Sequence, residues 1–206
     1  VSDRPSQSFP PANSQLLRSI GYSDIAEPHF DVDSAVTNHL SKFVGDIHKL
    51  RRVVTKYFST VHLWLPIISE SRFLDSLPMI LLEPQADLSV LALSMALITT
   101  LPVDIDAVVS ASPIYMIVKC SLAVVEAANI HSLEVLQARL LLSLFEVGHG
   151  IDPAGYITLG ATARAAVAMG ANLDSGLSYS GREVPLERSD EALCVWWAIV
   201  ILDRYA

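Results

Sequence analysis

The side chains best suited to acid–base work or metal ligation are six histidines, His29, His39, His48, His62, His131 and His149. No two of them stand four positions apart, so no helix can present a histidine pair to one metal ion. The two cysteines, Cys120 and Cys194, sit in separate apolar runs and form no C-x-x-C pair. They read as buried free thiols, not as zinc ligands. Two carboxylate pairs, Asp31/Asp33 and Asp104/Asp106, are spaced at i, i+2. On a helix that spacing turns the two acids to different faces. Neither pair can therefore serve as the aspartate-rich metal motif of a helical isoprenoid synthase. The glycines at 148, 150 and 155 only loosely resemble a phosphate-binding loop, since they follow a helical pattern and not a strand. The run Gly176-Leu177-Ser178-Tyr179-Ser180-Gly181 is one residue too long for a nucleophile elbow and lacks the strand before it. No catalytic set and no metal site is expected, and the chain reads as a non-enzyme.

The elements that carry these residues are helical. Residues 1–32 are rich in Pro, Ser and Asn, and Pro5, Pro10, Pro11 and Pro28 forbid a continuous helix, so this stretch reads as a largely irregular linker. From residue 33 the pattern changes. Val36, Leu40, Phe43, Ile47, Leu50, Val54, Tyr57 and Val61 recur at alternating spacings of four and three. Such spacing predicts one helix of about 30 residues, capped by Asp33 or Ser34 and ended by Pro66. Its stripe is long enough for a coiled coil, but Val44, Phe58 and Trp64 widen it and favour packing within a globular helical domain. Shorter helices follow over 69–77, 87–100, 113–129 (behind Ser112), 133–147 (behind Ser132), 153–169 and from Ser189-Asp190-Glu191 onward. The acids at the start of the last helix suit its dipole. No stretch alternates long enough to build a sheet. The expected class is all-α, a multi-helical array of antiparallel helix hairpins over 33–206 with no significant β-sheet.

Composition narrows the function further. The chain has 206 residues, 51% of them hydrophobic and only 17% charged. Such a charge-poor chain builds a substantial core and leaves apolar faces for partners. Its formal net charge of −8 opposes nucleic acid as a whole, because phosphate neutralisation supplies most of that affinity. A local basic stretch runs through Lys42, His48, Lys49, Arg51, Arg52 and Lys56, mostly opposite the apolar stripe, and reads first as a solvated helix face. The longest apolar run, residues 88–101, is too short to cross a bilayer, and no membrane association is expected.

Four segments in order resemble the fungal-specific transcription factor domain, the middle homology region of zinc-cluster regulators. The first is Tyr57-Phe58-Ser59-Thr60-Val61-His62-Leu63-Trp64-Leu65-Pro66-Ile67-Ile68 with Phe73 behind it. The second is the helix around Leu136-Gln137-Ala138-Arg139-Leu140-Leu141-Leu142. The third runs from Gly160-Ala161-Thr162-Ala163-Arg164 to Met169-Gly170 and Asp174. The fourth is Trp196-Trp197 followed by Leu202-Asp203-Arg204. Leu193-Cys194 and Ser69 depart from the basic residues and the histidine that the family often carries there.

The resemblance implies a nuclear regulatory domain of a transcription factor acting on RNA polymerase II genes. It also implies that DNA and zinc are bound only by a separate N-terminal cysteine module that this sequence does not include. A small-molecule effector, a homodimer and transcriptional co-regulators are the expected partners. An effector pocket is expected at the end of the first long helix, from Tyr57, His62 and Trp64, with Arg164 anchoring an acidic group. Trp196, Trp197, Asp203 and Arg204 are expected to be architectural, with Arg164 and Asp203 as a buried ion pair. The alternative is a helical interaction or dimerisation scaffold that binds no small molecule.

Overall fold

A computed structural model of the chain describes residues 31–100, 112–171 and 186–205, with side chains from residue 190 in the last of these stretches. The linker, His29, the Asp104/Asp106 pair and the 176–181 glycine run lie outside the described residues. The chain divides into two units, Val1–Phe30 and Asp31–Ala206, and the second carries all the structure described here.

Eight α-helices and one 3-10 turn make up the second unit, with no strand among the described residues. They are α1 (Val32–Val44), α2 (Ile47–Ser59), the 3-10 turn (Val61–Leu63), α3 (Glu70–Ser76), α4 (Ala86–Thr99), α5 (Pro113–Ala127), α6 (Leu133–Gly148), α7 (Ala154–Ala168) and α8 (Leu186–Leu202). The all-α expectation holds.

The single long helix does not. The apolar stripe is interrupted at Gly45, which adopts φ +93° and ψ −120°, a conformation that side-chain-bearing residues avoid. Asp46 then restarts the chain as α2 by accepting a hydrogen bond from Lys49 N–H at 2.9 Å. Hydrophobic spacing survives the break because a two-residue joint keeps both halves facing the same core. Val36, Leu40, Leu50, Val54 and Tyr57 are all buried, so the stripe is interior surface and offers no coiled-coil seam. The cap also differs from expectation. Asp31 caps α1 through Ser34 N–H. Asp33 instead reaches across to accept from Ala86 N–H at 2.7 Å, capping α4.

Helix α4 is the centre of the unit. It packs most extensively on α6 and also contacts α1, α2 and α5. Its sequence, ADLSVLALSMALIT, is apolar on every side, as a fully surrounded helix must be. Its hydroxyls stay satisfied: Ser94 donates to the Val90 carbonyl, Thr99 to that of Met95, and Ser89 pairs with Thr37 of α1 at 2.8 Å. Each buried Leu or Met here contributes roughly 2 kcal/mol of transfer free energy. At the far end, Lys56 Nζ donates to the Thr99 carbonyl, closing one of the last orphan carbonyls of α4. Helix α6 continues the core toward α7, and α7 toward α8. The close approach between α6 and α7 occurs at Gly155, where a Cβ would meet Val147 at 3.1 Å. At Gly160 itself a Cβ would meet only Arg164, at 3.6 Å.

Candidate functional site

Helix α3 is only seven residues long, held at its start by Ser69, whose hydroxyl accepts from Arg72 N–H. It buries Phe73 and so aims Arg72 along its other side toward α6. There the Arg72 guanidinium donates from Nη2 to Glu134 Oε1 at 3.2 Å and to Glu191 Oε2 at 2.9 Å. Glu134 stands in the first turn of α6 and Glu191 on α8. Gln137, one turn on from Glu134 and fully buried, donates from Nε2 to the same Glu191 oxygen at 2.9 Å and to the Ile67 carbonyl at 2.6 Å. One arginine and one glutamine thus tie the loop before α3, α3 itself, α6 and α8 together. Gln137 Oε1 and Glu191 Oε1 are buried without a hydrogen-bond partner among the described residues. Polar groups left like this are costly unless something else meets them.

A cleft of about 230 Å³ opens beside this cluster. Arg72, Phe73 and Ser76 of α3 form one wall, Asp87, Leu88 and Leu91 of α4 the opposite wall, and Glu134 and Ile68 close the end. Its volume falls below the roughly 300 Å³ at which drug-sized ligand pockets begin. Its lining sets the apolar Ile68, Phe73, Leu88 and Leu91 beside the polar Arg72, Ser76, Gln85, Asp87 and Glu134.

Glu191 was expected only as a dipole-matched acid in a first turn. Helix α8 begins earlier, at Leu186, which places Glu191 a turn further in and on the buried side. Arg72, Gln137 and Glu191 escaped the sequence reading because an ion pair between residues 119 positions apart leaves no local periodicity. The one available signal was Gln137 itself, a polar residue between Leu136 and Ala138 on the apolar side of its helix.

Tyr57 and His62 do come together, with ring centroids 6.4 Å apart, and Phe58 and Phe73 join them. They form an aromatic core behind the cleft wall, linked to it through Phe73. Burial raises the Tyr57 phenol far above the usual tyrosine range. The Tyr57 hydroxyl and His62 Nδ1 are both buried without a partner among the described residues. Trp64 does not join the group, being 62% exposed in the turn after α2. Arg164 lies exposed on α7, whose packing partners are α6 and α8. The expected Arg164–Asp203 ion pair is absent among the described residues, because both side chains are in solvent. Arg204 is exposed as well, and of the tryptophan pair Trp196 packs on the core while Trp197 is 61% exposed. The cysteines also depart from the expected burial: Cys120 is exposed and Cys194 half-buried. Burial raises the Cys194 thiol, and the charges of Asp190 and Glu191 add to the effect.

A second polar cluster lies between α5 and α6. Glu146 is fully buried, and its Oε1 accepts from the Tyr115 hydroxyl and from Lys119 Nζ, both at 2.7 Å. Burial raises the Tyr115 phenol, helped by its hydrogen bond to Glu146. Burial pulls the Lys119 ammonium down, and the bond and charge of Glu146 more than offset this, leaving it above the usual lysine value. The remaining histidines serve local bonds: His39 to Ser121, His131 to Asn129, and His149 to the Phe145 carbonyl. Among the described residues no three His, Cys, Asp or Glu side chains gather as a metal site, and no helix is long and apolar enough to cross a membrane.

In both clusters a cation meets the glutamates: Arg72 meets Glu134 and Glu191, and Lys119 meets Glu146. The chain is 34% identical over 128 residues to "Transcription factor BOA15" of Botryotinia fuckeliana (strain B05.10), an alignment that covers 62% of this chain and 69% of the relative. No solved structure matches. The fungal specific transcription factor domain matches residues 54–206, from the middle of α2 through the cleft and both clusters to α8, and the chain belongs to that family.

Proposed function

We propose that this unit is the effector-responsive regulatory domain of a nuclear fungal transcription factor, and that its effector enters the Arg72 cleft. One observation carries the reading: the guanidinium that lines the cleft is the group that holds α8 to α3 and α6. A ligand that draws Arg72 toward itself weakens the hold on Glu191 and shifts α8. A ligand regulates only by binding two conformations unequally, and here the two differ in whether Glu191 is held. The polar anchor thus moves from Arg164 to Arg72, while Tyr57 and His62 support the cleft from behind. Zinc and sequence-specific DNA recognition belong, on this reading, to a separate module, and this unit needs no cofactor of its own.

Thermal-shift screening of the chain against small polar metabolites tests the reading, with Arg72→Lys as the control. A compound that raises Tm for the wild type and not for Arg72→Lys supports it. Uniform failure to shift Tm overturns it. The scaffold alternative draws on the exposed apolar side chains Tyr156, Ile157 and Val167 of α7 and Trp197 and Ile201 of α8. A concentration-dependent dimer in sedimentation that is lost in Ile157→Ser favours that alternative.

A further inference from the structure

We propose that the outward face of α2 docks on the phosphate backbone of duplex DNA, a contact separate from the effector cleft. Helix α2 contains Lys49, Arg51, Arg52 and Lys56 and no acidic residue. Leu50, Val54, Tyr57 and Phe58 turn inward. His48, Arg52, Thr55 and Ser59 repeat at three and four positions on the opposite side, with Arg51 on one flank and Lys49 and Lys56 on the other, and all seven are exposed. No Lys or Arg of α2 forms an ion pair among the described residues, although four such pairs form elsewhere in the unit. The neighbouring acid is Asp46, whose carboxylate is occupied with capping the helix. Lys56 is partly committed to the Thr99 carbonyl, and Lys49 feels the Asp46 charge without closing an ion pair, so Lys49, Arg51 and Arg52 are the cations outside any hydrogen-bonded pair.

The charge is segregated. Residues 31–60 carry a formal charge of +2, while the whole chain carries −8. A cationic face on an acidic protein orients its approach to a polyanion: the acidic remainder is repelled and only this helix is drawn in. The chemistry of the face selects the polyanion. Its exposed groups are cations and hydroxyls, all hydrogen-bond donors suited to phosphate oxygens. It carries no exposed aromatic or large aliphatic side chain, the anchors from which protein–protein affinity is built. The exposed apolar side chains nearest in sequence, Phe43 before the helix and Leu63 and Trp64 after it, lie beyond its two ends. Thirteen residues of helix span about 20 Å, enough to follow several successive phosphates.

The 206-residue chain, which lacks any other assigned DNA contact, is titrated onto a short labelled duplex of arbitrary sequence across about 20–200 mM salt. Weak binding is expected at low salt, with log K falling against log salt at a slope of about −3, one phosphate for each free cation. Arg51→Glu/Arg52→Glu should lower the affinity at least about tenfold and make the slope shallower by about 2. The milder Arg52→Gln should move both in the same direction with an unchanged melting curve. Arg164→Glu, on α7, and Trp64→Ser should leave binding unaltered. Absence of binding at low salt overturns the proposal. So does a double variant that binds like the wild type, or a larger loss from Trp64→Ser than from the arginine variants. Preference for poly-glutamate over the duplex overturns it too and reassigns the face to an acidic protein.

Discussion

Helix α6 buries a glutamate near each end, and the two are held in opposite ways. Glu134 stands in the first turn, where the helix dipole favours an acid, and it shares Arg72 with Glu191 at the rim of an open cleft. Glu146 stands near the last turn, where the dipole opposes an acid, and it is sealed between α5 and α6. It survives there only because Lys119 and the Tyr115 hydroxyl both meet its carboxylate. The Glu146 cluster joins neighbouring helices over sequence separations of 27 and 31 residues. The Arg72 cluster joins segments 62 and 119 residues apart. An enclosed cluster between neighbours acts as a staple. A cluster at a cleft, tying remote segments through one shared side chain, is able to be released.

The sharpest way to break this contrast is to remove the cation of the enclosed cluster. Lys119→Met leaves Glu146 buried and charged, and the loss of stability in urea unfolding should be about 3 kcal/mol. A loss below about 1 kcal/mol would mean that water reaches Glu146 and that the cluster is not sealed.

Alkaline pH probes the same staple without mutation. Tyr115 and Lys119 both titrate higher in the folded state than their ordinary values of 10.0 and 10.5, and burial moves Tyr57 the same way. Groups raised on folding contribute stability that is complete below their unfolded values and is lost as pH rises past them. The urea midpoint should therefore fall steeply above about pH 10. It should fall less steeply in Lys119→Met and in Tyr57→Phe. A midpoint flat to pH 11 in the wild type would remove the staple from the account.

The releasable cluster should respond more gently. Glu191→Gln keeps an acceptor for Arg72 and Gln137 and removes only the charge, and Arg72 retains Glu134 as a partner. A loss of about 1 kcal/mol is expected, concentrated as faster amide exchange in α8. Exchange that accelerates equally in α4 would show that Glu191 is part of the global core and not a local tether.

The sequence made most of the helices legible because their signals are local. Ser132 caps the helix it precedes, as read, Ser69 stands at the start of the expected helix as its cap, and Pro113 begins α5. Burial of the Val36-to-Tyr57 stripe was also written in its spacing. The break at Gly45 was not, since the apolar period runs straight through it and only the glycine's positive φ reveals the turn. The candidate site was the least legible part. Asp33 capping α4, Arg72 reaching Glu191 and Gln137 reaching the Ile67 carbonyl are each separated by more than fifty residues. Such pairs obey the rule that buried polar groups find partners. That rule says a partner must exist and not which one. Tyr57 and His62 were grouped because both lie at the end of the first apolar stripe, and their rings do come near each other across the end of α2. Arg164 stands among small residues on α7, of which Ala166 is buried and Ala163 and Ala165 pack on the core, while Arg164 itself points into solvent.

The smallest effect expected is at Trp197 of α8. Successive helical positions differ by about 100°, so Trp196 and Trp197 cannot both face inward. Val195, Ala198, Ile199 and Leu202 define the buried side, Trp196 packs at its edge and Trp197 points away. Trp196→Ser should cost about 2 kcal/mol through lost burial. Trp197→Ser should stay within about 0.5 kcal/mol of the wild type in dilute unfolding experiments. The two variants differ only in which side of one helix they empty, so folding energetics alone separates them. If Trp197→Ser is as damaging as Trp196→Ser and the damage grows with protein concentration, the outer side of α8 is an interface between copies. The tether at Glu191 would then hold a contact surface in place, and releasing it would change what the domain assembles with.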